Sequence, residues 1–137
     1  MSFEADLSGH LLGDSTLVAL LASDSEGRKC VWPGIAPEGS PRPCVVHSIV
    51  AGDPVTDLAG EDNGGDGLAF YRVQIDAWAR DFDTCAQIAR QVRRRMNAGA
   101  STFASVPMEG STDRYDYEPD TKLHRVINEF EVSYTPA

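Results

Sequence analysis

The residues from Leu68 to Met96, LAFYRVQIDAWARDFDTCAQIARQVRRRM, pass from a two-residue repeat to a helical one within a single stretch. Tyr71, Val73, Ile75, Ala77 and Ala79 alternate with Arg72, Gln74, Asp76, Trp78 and Arg80, the period of a strand with one buried face. Cys85, Ile88, Ala89, Val92 and Met96 then share one stripe at about 100° per residue, which predicts an amphipathic helix over about 84–97. Thr84 with Gln87 three residues on forms a capping-box pattern, and Asp83 competes for the cap. The unit is a strand that docks its own helix, and it carries no obvious catalytic group.

Upstream, Phe3, Leu7 and Leu11 recur every fourth residue, so a first helix is expected, capped by Ser2 and ended by Gly13. Asp14 or Ser15 restarts a short second helix, with Leu17, Val18, Leu20 and Leu21 as its apolar side; the two pieces are expected to cover the sheet. Arg28 to Trp32 reads as a short strand. Pro33, Pro37, Pro41 and Pro43 then forbid helix and impose an extended connection. Cys44 to Val50 is rich in β-branched residues and reads as a strand.

Between Gly52 and Gly67 lie five glycines and five acidic residues, Asp53, Asp57, Glu61, Asp62 and Asp66, with neither period, which predicts a long mobile hairpin tip. Glu61, Asp62, Asn63 and Asp66 superficially suggest a calcium loop, but ligands at alternate positions followed by a late Glu are missing. After the long helix, Gly99 is the expected stop, Phe103 to Met108 a strand, and STDRYDYEPD a polar turn. Leu123 to Tyr134 reads as the last strand, with Val126, Phe130, Val132 and Tyr134 against Arg125, Glu129, Glu131 and Ser133. Ile127 and Asn128 break that alternation, through either a bulge or contacts on both faces.

The 137 residues fit one domain that buries roughly two thirds of its unfolded surface. No apolar run approaches the ~18 residues of a membrane span. The start, MSFEADLSGHLL, lacks the basic opening of a signal peptide, so a soluble protein made in a cytoplasm is expected. Lys and Arg total 12 against 21 Asp and Glu, a net charge of −9, which argues against gripping nucleic acid over the general surface. Cys30, Cys44 and Cys85 are an odd number without CxxC spacing, indicating neither a disulfide framework nor zinc, and Cys85 reads as a small buried apolar residue. His10, His47 and His124 are far apart, and no metal or other cofactor is expected.

Arg93, Arg94 and Arg95 form the sharpest charge cluster in this acidic chain; Arg94 and Arg90 point away from the apolar stripe, while Arg93 and Arg95 flank it. One reading is a solvated face whose charge suits the helix C-terminus. The other is ion pairing with a neighbouring subunit, for which the planar guanidinium is well suited. Trp78, on the polar side of its strand, is expected to pack under the N-terminal helices on a sheet covered on both sides, or to be exposed for a partner. Asp76 with His47 or His124 would make an acid–base pair, but no Ser or Cys nucleophile sits in a recognisable elbow. No GxGxxG or GxxxxGK[ST] exists to hold a phosphate.

The strand YRVQIDAWA, the helix AQIARQVRRRM, the proline-led strand PRPCVVHSIV and the closing YEPDTKLHRVINEFEVSY together resemble the tail-completion (tail-terminator) proteins of long-tailed bacteriophages and related gene-transfer particles, over nearly the whole chain. The resemblance implies an α+β fold, a mostly antiparallel sheet with N-terminal helices and one longer helix packed on it. It also implies a hexameric ring that caps the tail tube at its head-proximal end and meets the tube protein on one side and the head connector or stopper on the other. Genomic DNA would pass through its lumen without specific binding, and no membrane is involved. In that setting Arg90, Arg93, Arg94 and Arg95, with Glu61, Asp62 and Asp66 of the loop, are the candidate subunit or partner contacts. The rival readings are a neighbouring head–tail joining protein, or a stand-alone α+β binding module or small cytoplasmic enzyme.

Overall fold

A computed structural model describes residues 3–37, 39–54, 69–98, 103–107 and 114–134. In chain order the elements are α1 (Phe3–Leu12), α2 (Ser15–Leu20), β1 (Val31–Pro33), β2 (Cys44–Pro54), β3 (Ala69–Ala79), α3 (Phe82–Ala98), β4 (Phe103–Pro107), β5 (Arg114–Glu118) and β6 (Leu123–Tyr134). The strands form one sheet in the order β1-β2-β3-β6; β4 pairs with Phe130–Tyr134, and β5 with Leu123–Ile127, on the outer edge of β6. Only β1 and β2 run parallel among the described strands, so the fold is the expected α+β arrangement on a mostly antiparallel sheet.

The alternation in β3 decides which side the helices cover. Tyr71, Val73, Ile75, Ala77 and Ala79 face them and, with Val126, Phe130, Val132 and Tyr134 of β6, join a core completed by Leu7, Leu11, Leu17 and the α3 stripe Cys85, Ile88, Ala89, Val92 and Met96. The first helix is pinned at its start: Phe3 stacks on Tyr71 with ring centroids 4.2 Å apart and meets Tyr134 edge-on at 5.0 Å. The Tyr134 hydroxyl donates to the Asp6 carboxylate, and burial together with that charge pushes the phenol up to about 12. Truncation at Phe3 removes the ring that joins α1 to two strands. Phe3→Ala should therefore cost about 3–5 kcal/mol, read as a lowered urea midpoint; a midpoint equal to that of the native chain would show that α1 docks without it.

Three local expectations are corrected. The long helix starts at Phe82, because its cap is Asp81: that carboxylate accepts from the Thr84 amide at 2.9 Å and the Thr84 hydroxyl at 2.8 Å, so neither Thr84 nor Asp83 caps it. The stretch read as a polar turn contains β5, a strand whose support comes from its ladder with β6 and not from a buried face of its own. The first strand spans Val31–Pro33 instead of Arg28 to Trp32; Pro33 is tolerated on this edge strand, where Lys29 forms an isolated bridge with Ser23.

Elsewhere the sequence reading holds or is refined. Asp14, one of the two expected caps, accepts from Thr16 and Leu17 amides at 3.0 and 3.4 Å. At Ile127 and Asn128 the β3–β6 register runs on without a shift, so the break in alternation reflects contacts on both faces. Asn128 points to the helices, accepting from Arg93 at 3.1 Å and donating to the Ala89 carbonyl at 3.5 Å, while Ile127 is buried on the other side. The bulge sits in β2, between Ile49 and Ala51. That strand continues to Pro54, so Gly52 and Asp53 are ladder residues instead of loop. The remainder of the expected hairpin tip, with Ser2 and Gly99, lies outside the described residues.

Candidate assembly surface

Along α3 the four arginines divide into two pairs. Arg95 Nε donates to the His10 carbonyl at 2.7 Å, and His10 Nε2 donates back to the Arg95 carbonyl at 2.9 Å. This reciprocal contact clamps α1 to α3 and leaves little space, since a Cβ on Gly13 would lie 2.7 Å from an Arg95 Nη atom. Arg93 is tied to Asn128 beneath it, and Gln91 reaches Asp14 at 2.8 Å. Arg90 and Arg94 instead face solvent, and neither forms an ion pair among the described residues. A helix with two arginines engaged inward and two presented outward leaves the outward pair as its candidate contact. Glu61, Asp62 and Asp66 lie outside the described residues.

The sheet face away from the helices carries a buried polar group. Asp76 accepts from Arg125 Nη2 at 2.6 Å and Nε at 3.2 Å, and from the Gln74 amide at 3.1 and 3.2 Å. The Arg125 guanidinium also lies 5.0 Å from the centre of the Trp78 ring. Trp78 is half-buried, but what packs near it is the extended connection after α2 and not the N-terminal helices: Ala22, Cys30, Trp32 and Ala36 gather there with Cys44 and Val46. The polar strand face is thus partly covered by the stretch from Ala22 to Ala36, whose expected short strand and extended connection gave no sign of this packing.

The conceivable acid–base pair does not assemble. His47 and His124 sit opposite Ile75 and Ala79 in the ladders, so they belong to the helix side of the sheet, whereas Asp76 belongs to the other. His47 is fully buried with Nε2 2.7 Å from Ser8 Oγ, and burial lowers its pKa to about 4. All three cysteines are free and buried; burial pushes Cys44 and Cys85 up to about 11 and raises Cys30 as well, so each is held as a neutral thiol. Among the described residues no group of three or more His, Cys, Asp and Glu is placed to hold a metal ion.

A further surface went unread in the sequence. Phe82 at the start of α3 lies 5.1 Å from Tyr115 of β5 and 6.0 Å from His124 of β6, and Tyr117 lies 4.9 Å from His124, centroid to centroid. Phe82, Tyr115 and Tyr117 remain 44%, 56% and 47% exposed, an aromatic corner at one end of the sheet. Its signal was the alternation in Arg-Tyr-Asp-Tyr-Glu, masked because the alternating partners are charged.

The family model described as Tail completion protein gp17 matches residues 5–135. No curated protein sequence matches the chain significantly. Among solved structures, a chain from "Virion of native gene transfer agent (GTA) particle" has a similar fold, with a TM-score of 0.61 at 16% identity, over 98% of this chain and 96% of that one.

Proposed function

We propose, from the premise that this chain belongs to the tail completion protein gp17 family, that it is a tail terminator: six copies close into a ring that caps the last ring of the tail tube and offers its other side to the head connector. Its setting is the virion tail, and its role there is structural. What carries the finer reading is extent. The family match spans residues 5–135, and the fold matches a chain of a gene-transfer-agent virion over 98% of this chain and 96% of that one. The work would be done by shape and interface complementarity rather than turnover. Among the described residues no helix is long and apolar enough to cross a membrane.

Particles made without this chain test the proposal. The expected result is tails of uncontrolled length, or finished heads and tails that fail to join, both restored when the chain is supplied in trans. Tails of normal length already joined to heads would contradict it.

Charge gives a second expectation. The net charge is −9 and no Lys or Arg occurs between Arg42 and Arg72, so the wall of a ring that passes DNA should be neutral or acidic and should repel phosphates. Counting charged side chains on the lumen of an assembled ring decides this, and a net-basic wall would overturn it.

A further inference from the structure

Two exposed surfaces of this chain carry complementary chemistry. The aromatic corner presents Phe82, Tyr115 and Tyr117 with the exposed carboxylates Asp81 and Asp83 at the start of the same helix and Asp120 in the turn after β5, while Asp116 alternates with the tyrosines onto the other face of the sheet, opposite Arg125. Of the exposed cations nearby, Arg114 also alternates onto that other face, 3.8 Å from Glu129, which leaves Arg80 and Lys122 against Asp81, Asp83 and Asp120, an acidic balance. The outward arginines of α3 carry the opposite charge on planar groups that stack on aromatic rings while pairing with carboxylates. With a rise of about 1.5 Å per residue, Arg90 and Arg94 stand roughly 12 and 18 Å along the helix from Phe82, too far for one copy to satisfy both surfaces itself.

We propose that the Arg90 and Arg94 row of one copy docks on the Phe82, Tyr115 and Tyr117 corner of a second copy, and that this contact joins neighbours in the ring. The inference rests on the ring reading above and names the surfaces that would make it. Unlike patches meeting head to tail repeat around an axis, and such contacts close into a ring when the rotation permits. The rings supply apolar area that an exposed strand otherwise leaves in water, and the carboxylates orient the guanidinium groups.

The test uses two tagged full-length chains, one carrying Arg94→Cys and the other Tyr117→Cys, co-expressed in particle-producing cells that lack the native chain, followed by mild oxidation. The native cysteines are buried and should stay silent. Disulfides between the two different tags are expected, and a chain carrying both substitutions should give a ladder extending past the dimer. Links only between identical tags, or none, in particles that contain the chain would overturn this contact while leaving the tail-completion reading standing. Absence of the unsubstituted chain from particles would instead overturn that reading and this contact with it. As a second measurement, Arg90→Glu with Arg94→Glu should unfold at the same temperature as the native chain but fall at least tenfold in particle incorporation. Incorporation at the native level by the folded variant would refute the contact.

Discussion

Arg125→Ala should destabilise the subunit by about 3–5 kcal/mol, more than any surface charge change, because it strands the Asp76 carboxylate in a nearly closed site. Asp76 is 5% exposed, and its strongest partner is the guanidinium at 2.6 Å. Without it, among the described residues only the Gln74 amide remains to satisfy a buried charge, and the cation over the Trp78 ring is lost as well. Domains of this size are stable by only about 5–15 kcal/mol, so the loss is a large share of the total. Two controls separate this cause from general damage in urea unfolding. Asp76→Leu combined with Arg125→Met removes both charges and should recover most of the loss, and Arg114→Ala, at an exposed pair with Glu129, should stay within about 1 kcal/mol of the native chain. If Arg125→Ala and the double variant are equally unstable, the ion pair is not what the site requires.

Acidification from pH 7 to 4.5 should weaken the fold markedly through His47. In the folded chain burial holds this imidazole near a pKa of about 4, against 6.5 for the free group. Between those values the unfolded chain takes up a proton that the folded chain refuses, so stability is complete above 6.5 and is lost as pH falls toward 4. At about 1.4 kcal/mol per pH unit the full span amounts to about 3 kcal/mol. His10 adds to the same trend, since burial lowers its pKa too. Urea unfolding at pH 7 and 4.5 should therefore show a much steeper fall for the native chain than for His47→Gln, which has no proton to gain. Parallel falls in both chains would assign the acid sensitivity elsewhere.

What the residue pattern revealed follows where the energy of each element comes from. β3, the α3 stripe and the limits of β6 were legible because each has an apolar face with a clear period, and burial enforces it. β5 was not: its residues alternate tyrosine with charge, and the strand exists because β6 offers an unpaired edge. The α3 start was misplaced because Asp81, Asp83 and Thr84 are all competent caps, and only the bond from Thr84 back to Asp81 separates them. The arginine cluster was visible as charge, but its division was hidden. Arg95 turns inward because Gly13 leaves room for it beside α1, and Arg93 because Asn128 interrupts the apolar face of a strand far away in sequence. Contacts of that range leave no local period. The cover over Trp78 was missed for the same reason, since a short edge strand and a proline-rich connection announce their extended shape but not their destination.

Imaging the head–tail junction of intact particles, with this chain located in the density, tests the central claim most directly. Six copies in one closed ring between the last tube ring and the head connector are the predicted result. One copy, a twofold dimer, or a position away from the head-proximal end of the tail would contradict it.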